Sequence, residues 1–287
     1  MQMSSQPELL ISAATLADLR LGGQLVIVDC RFDLSHPDKG RSDYLRSHVP
    51  GACYANLDHD LSSPVTPESG RHPLPRASEF SRFLANTGWT PGKLLVAYDD
   101  RNNAMASRLW WLMRYFGQDA ALLDGGFEAW LNASLTTESG EAQRKPEQSV
   151  KLLPDEGMVV SANDVLQNLS NPHFTLLDAR APERFSGSVE PLDTRGGHIP
   201  GALNRPLGMN LDASGCFKSP GQLRTEFEAL LPEAEPSSVV HSCGSGVTAC
   251  HNQFAMELAG LGSSRVYPGS WSEWIRDRQR PIETVSD

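Results

Sequence analysis

At 287 residues the chain is long for one domain and comfortable for two, each able to bury its own core. Hydrophobic residues make up 39% and charged residues 21%, the balance of a soluble globular protein and not of a disordered chain. A formal net charge of -10 excludes broad binding to nucleic acid or to an anionic membrane, which needs a basic face, so an anionic substrate must be held by a few local cations.

The N-terminus, MQMSSQPELL, has no basic start followed by a long apolar run. No later stretch reaches the length of a membrane span, which predicts a cytoplasmic protein. LVIVDCR (25–31) is an apolar run ending in Asp-x-Arg and predicts a strand, with HVPGA (48–52) as a turn beyond it. DHDLSSPVTPESGRHPLPR (58–76) is a polar loop with four prolines, long enough to cover the other domain. LLVAYDD (94–100) predicts a second buried strand. MASRLWWLMRYFG (105–117) then spaces Leu109, Leu112, Met113 and Phe116 along one helical face and stops at Gly117. GGFEAW (125–130) closes this half. TTESGEAQRKPEQSVKLLPDEG (136–157) carries Pro146 and Pro154 and neither periodicity, which marks a linker.

Beyond the linker the pattern returns. FTLLDAR (174–180), HIPGA (198–202), SVVHSCG (238–244) and PGSWSEW (268–274) echo the four segments in order, so the chain holds two copies of one unit. In each copy strand-like runs alternate with segments of helical period, the signature of an α/β domain with a mainly parallel sheet flanked by helices. The expected domains are 1–145 and 158–287, joined by a linker over 146–157. Val247, Cys250, Phe254 and Leu258 fall at helical steps before Gly260, which places Cys250 on the buried face. Trp271 and Trp274 read as core residues, since Trp130 repeats Trp274.

Five cysteines (Cys30, Cys53, Cys216, Cys243, Cys250) are scattered without a C-x-x-C pair, which fits neither a disulfide framework nor a zinc site. No metal and no other cofactor is expected. Cys243 stands apart because it ends a buried strand and is followed by Gly244, Ser245, Gly246, Val247 and Thr248, a tight connection into a helix that begins around Val247. Such a turn gathers backbone N–H groups and the positive end of a helix dipole, which stabilise a thiolate relative to the thiol. Gly244 and Gly246 let the backbone curl close to the sulfur. The bland alternative is a small apolar residue filling a strand end. Three rival loop chemistries fail on the letters. A cysteine phosphatase needs an arginine where Ala249 stands, a P-loop needs a lysine, and a serine-hydrolase elbow needs Gly-x-Ser-x-Gly.

The duplicated units, with Asp99 in one copy where the other has Cys243, and the CGSGVT loop resemble the two-domain rhodanese family over nearly the whole chain. The loop itself is similar to that of the branch acting on 3-mercaptopyruvate. The resemblance implies tandem rhodanese-like domains, the first non-catalytic because of Asp99. It also implies a sulfurtransferase in which Cys243 takes a sulfane sulfur, holds it as a persulfide under the loop amides, and passes it to cyanide, a thiol or a thioredoxin-like protein. Arg184, in its Arg-x-x-x-Arg-aromatic context with Arg180 and Phe185, matches the family's substrate arginine, and Arg195 looks like the second. Arg180 reads instead as a brace for Asp178. A Ser-His-Asp relay would use Ser245, His48 and either Asp43 or Asp38; against it, His48 has a twin in His198, which suggests a shared packing task. The uncharged Gly244–Ser245 pair favours 3-mercaptopyruvate, with one carboxylate, over dianionic thiosulfate. The alternatives are a thiosulfate sulfurtransferase and a non-catalytic persulfide sensor, the latter disfavoured by an open loop.

Overall fold

Short apolar runs separated by helical segments build a parallel sheet in each half of the molecule. The computed structural model describes residues 8–232 and 234–285, so the expectation on the first seven residues of MQMSSQPELL lies outside the described residues. The chain divides into two units. The first runs to Leu61 and resumes over Pro75–Pro154; the second takes Ser62–Leu74 and continues from Asp155. A 13-residue piece of the first repeat's polar loop therefore belongs to the second unit.

In the first unit the order is β1 (Leu10–Ile11), α1 (Ala13–Leu19), β2 (Leu25–Asp29), α2 (Lys39–Arg46), β3 (Cys53–Tyr54), α3 (Ala77–Asn86), β4 (Leu94–Tyr98), α4 (Ala106–Tyr115), β5 (Ala120–Leu123) and α5 (Gly126–Asn132). All strand pairs are parallel, in the spatial order β1-β5-β4-β2-β3. All five residues of β2 are buried, which is why it reads as an unbroken apolar run: a parallel strand with both faces covered has no polar side to show. Leu16, Val49, Val96, Ala121 and Trp130 meet in the core.

The second unit repeats the plan with α6 (Ala162–Ser170), β6 (Thr175–Asp178), α7 (Pro182–Ser186), β7 (Leu203–Asn204), α8 (Pro220–Leu230), β8 (Val239–Ser242), α9 (Ala249–Leu258), β9 (Arg265–Val266) and α10 (Ser270–Trp274). Its sheet order is β7-β6-β8-β9, again all parallel. Capping boxes from Ser161 with Asp164 and from Ser219 with Gln222 start α6 and α8, each satisfying two otherwise orphaned amides. Trp271 and Trp274 join Val165, Val240 and Tyr267 in the core.

Matching hydrogen bonds fix the equivalence of the copies. Cys30 N–H donates to the Tyr98 carbonyl and Ala179 N–H to that of Ser242, at 2.7 and 2.9 Å. One residue on, Phe127 N–H donates to the Asp99 carbonyl and Trp271 N–H to that of Cys243, at 2.9 and 3.0 Å. Asp99 and Cys243 thus occupy one place in two copies, directly after the central strand. Arg31 forks onto Asp29 as Arg180 forks onto Asp178. Among the described residues no helix is long and apolar enough to cross a membrane.

Candidate active site

The first unit shows what this strand-to-helix connection does to a negative group. Asp99 is fully buried, and its carboxylate accepts from the amides of Arg101, Asn103, Met105 and Ala106 at 2.7 to 2.9 Å. The loop is a nest of backbone dipoles closed around one anion. Burial nonetheless pushes the Asp99 carboxyl up to about 6, because the four amides only partly replace lost hydration. The folded protein therefore holds this proton more tightly than the unfolded chain. The Asp99 contribution to stability is full below the ordinary carboxylate value of 3.8 and is lost as pH rises through about 6. Denaturant unfolding at stepped pH is expected to show this fall between those values, and Asp99→Asn to remove it; an unchanged slope in the variant contradicts the assignment.

In the second unit the same turn is one residue shorter, six steps from Cys243 to Ala249 against seven from Asp99 to Ala106. The helix α9 starts at Ala249, two residues after the expected Val247, and Val247 and Thr248 stay in the turn. Gly246 N–H points at Cys243 Sγ, 3.2 Å away. Gly246 has φ +76, and a Cβ there would collide with the Pro268 carbonyl. Only glycine brings this amide to the sulfur. The Cys243 amide is fixed by Ser270 Oγ at 3.0 Å, which in turn donates to the Tyr267 carbonyl at 2.8 Å. Ser270 adopts φ +52 where its twin Gly126 has +59, so a strained serine is kept for this contact. Cys250 is buried and donates its thiol to the Gly246 carbonyl at 3.3 Å, a packing role.

The residues over the loop come partly from Ser62–Leu74. His72, 4% exposed, makes a 2.7 Å hydrogen bond through Nδ1 with Ser245 Oγ. The Arg71 amide donates to Ser272 Oγ at 3.0 Å, and the Arg71 side chain is ion-paired to Asp193. A Cβ on Gly244 would lie 2.9 Å from Arg71 Nη2 and 3.4 Å from both terminal nitrogens of Arg184. Two guanidiniums therefore rest on the residue next to Cys243, close enough that a Cβ there would push the end of the Arg71 side chain aside. Cys243 itself is 2% exposed. The loop is covered, contrary to the open one expected, and the cover is the Ser62–Leu74 stretch of the proline-rich loop that the sequence marks as long enough to reach the other domain.

Behind the guanidiniums stand carboxylates. Arg184 reaches Glu190 at 2.9 Å and Asp193 at 3.2 Å, and Arg180 reaches Asp178 at 2.7 Å and Glu190 at 3.6 Å. Burial raises the Asp193 carboxyl, against the pull of Arg71, while burial of Glu190 is outweighed by hydrogen bonds from Arg184 and the Leu192 amide, so Glu190 lies below its ordinary range.

The relay expected through His48 and Asp43 is not the one the residues form. His48 is buried in the first unit, its Nδ1 bonded to the Tyr44 carbonyl at 2.7 Å and its ring stacked on Tyr44. His198 does the same with the Phe185 carbonyl and ring, so the twin histidines share a packing task. Asp43 accepts from Lys39 and Arg46, and the histidine on Ser245 is His72. Arg180 braces Asp178 and also donates to the Gly197 carbonyl at 2.7 Å. The Arg195 carbonyl accepts from Trp271 Nε1 at 2.8 Å, and Arg195 Nη1 is buried without a hydrogen-bond partner. Sequence reasoning missed Arg71, His72 and Ser270. One signal for the first two was present: unlike His48, His72 has no counterpart in the second copy, and it sits with Arg71 in the long proline-rich loop.

Residues 12–133 and 161–277 each match the rhodanese-like domain. A Pseudomonas aeruginosa protein named "Probable 3-mercaptopyruvate sulfurtransferase" is 43% identical over 278 residues, 96% of this chain and 98% of that one. The thiosulfate sulfurtransferase of Mus musculus is 33% identical over 281 residues, 95% of this chain and 91% of that one. The solved structure of 3-mercaptopyruvate sulfurtransferase from Leishmania major superimposes with a TM-score of 0.83 at 33% identity, covering 95% of this chain and 75% of that chain.

Proposed function

The chain belongs to the rhodanese-like domain family, and from that premise we propose that it is a sulfurtransferase in which Cys243 carries sulfur from 3-mercaptopyruvate to a thiophilic acceptor. The observation that carries this reading is the shared position of Asp99 and Cys243: the first copy of the turn already holds a buried anion on its amides, and the second places a sulfur there. The Cys243 thiolate attacks the donor sulfur and forms an S–S bond. The donor's C–S bond breaks, its electron pair leaving on carbon as the enolate of pyruvate, which takes up the proton released by the donor thiol. Ser245 and His72, hydrogen-bonded beside the loop, provide the route for that proton. The persulfide anion is held by the turn amides of Gly244, Ser245, Gly246, Val247 and Thr248.

Arg184 and Arg71 receive the donor carboxylate, and the buried, unpartnered Nη1 of Arg195 is a further donor for it. Cyanide, a small thiol or a thioredoxin-like protein then attacks the outer sulfur. The S–S bond breaks and its electron pair returns to Cys243. Five free cysteines suit a reducing compartment such as the cytoplasm.

The test is steady-state release of pyruvate and thiocyanate from 3-mercaptopyruvate and cyanide. Turnover is expected, and its absence contradicts the reading. His72→Ala is expected to lower kcat roughly 100-fold with little change in melting temperature; an unaltered kcat removes His72 from the proton route. Thiosulfate is the second reading, favoured by the guanidinium of Arg71, which supplies beside Gly244 a cation that the loop sequence lacks.

A further inference from the structure

The two guanidiniums beside Cys243 end a line of alternating charges: Arg71, Asp193, Arg184, Glu190, Arg180 and Asp178. Three cations are matched by three carboxylates. The arrangement is graded, since the Arg71 and Arg184 side chains keep 26% and 18% of their surface while those of Asp193 and Glu190 keep 5% each. A donor thus meets the nitrogens first, with the carboxylates fixed behind them.

We propose that Asp193 is the specificity-determining residue for the sulfur donor, neutralising Arg71 so that the site accepts a single carboxylate and turns away a dianion. The inference rests on Cys243 being the sulfur carrier. Asp193 spans both guanidiniums, one oxygen on Arg71 and the other 3.2 Å from Arg184, while Glu190 takes the Nε edge of Arg184 at 3.1 Å. A planar carboxylate needs only the fork edges left facing Gly244. A compact dianion needs uncompensated positive charge, and the six groups of this line provide none. The attraction of a site for its ligand scales with ligand charge, so one unit of charge added to the line acts twice as strongly on thiosulfate as on 3-mercaptopyruvate.

The experiment compares kcat/KM for thiosulfate and 3-mercaptopyruvate, with cyanide as acceptor, in the wild-type protein, Asp193→Asn, Arg71→Gln and the double variant, each at low and high salt. In Asp193→Asn the thiosulfate-to-mercaptopyruvate ratio is expected to rise on the order of tenfold at low salt and to fall back as salt screens the added charge. Arg71→Gln, which removes one cation and leaves Asp193 with Arg184 alone, is expected to lower the ratio, and the double variant to restore it near the wild-type value. A merely structural Asp193 would change both donors alike and leave the ratio and its salt dependence unmoved, which overturns the proposal. If Asp193→Asn does not fold, Arg71→Gln decides: an unchanged or raised ratio there also overturns it. A wild-type protein that acquires no cyanide-labile sulfur from either donor refutes the underlying sulfurtransferase reading instead, a result distinguishable from an unmoved ratio.

Discussion

Cys243→Ser is expected to abolish sulfur transfer, lowering turnover on the order of 10⁴-fold or more, while the protein folds as before. Serine is close to isosteric at this buried site and can still accept from the Gly246 amide, so structure and function separate cleanly. The lost property is the ability to form and cleave an S–S bond. Circular dichroism and melting temperature are expected to stay near wild type, and pyruvate release to fall to background. Substantial residual turnover would mean that another thiol carries the sulfur. Cys30 and Cys53 make poor substitutes: burial pushes the Cys30 thiol well up, with the charge of Asp99 adding to the rise, and burial raises Cys53 as well.

Gly246→Ala is expected to cost roughly 3 kcal/mol or more of stability and to disable the site. Two penalties coincide there, a left-handed backbone and a Cβ directed into the Pro268 carbonyl. Gly117→Ala separates them. Gly117 has φ +68 with open space around its added Cβ, so only the backbone penalty of about 1 kcal/mol applies. Chemical denaturation of both variants measures the difference. Equal losses would show that the Pro268 carbonyl yields, and that the close approach of the Gly246 amide to Cys243 is not enforced by packing.

The sequence carried the fold because the signals were local and duplicated. Asp-x-Arg at the end of LVIVDCR and of FTLLDAR became the same buried fork, and the twin HVPGA and HIPGA turns became twin histidines stacked on Tyr44 and Phe185. Cys243 was legible for a related reason. LLVAYDD aligns with SVVHSCG residue for residue, which set its position against Asp99, and matching hydrogen bonds put both directly after the central strand.

What surrounds the cysteine was less legible, because it depends on contacts distant in sequence. Arg71 and His72 reach a loop more than 170 residues away, as with the Ser245 hydrogen bond spanning 173 positions. No periodicity reports such a pairing. Ser270 was hidden for the opposite reason: its role depends on a positive φ, which the letters GSW do not display where the twin GGF does. The expectation of an uncharged loop held for the residues after Cys243, yet missed the guanidinium that another segment lays over Gly244. The proposal for Asp193 accordingly assigns donor preference to the charge line running from Arg71 to Asp178, which loop composition alone does not express.

Sulfur carriage by Cys243 is tested most directly by intact-mass spectrometry of the whole chain after incubation with 3-mercaptopyruvate and removal of the donor. The wild-type protein should gain the mass of one sulfur atom, lose it on treatment with cyanide, and show no gain as Cys243→Ser. An unchanged wild-type mass with both 3-mercaptopyruvate and thiosulfate, or a gain that survives in Cys243→Ser, would contradict the account.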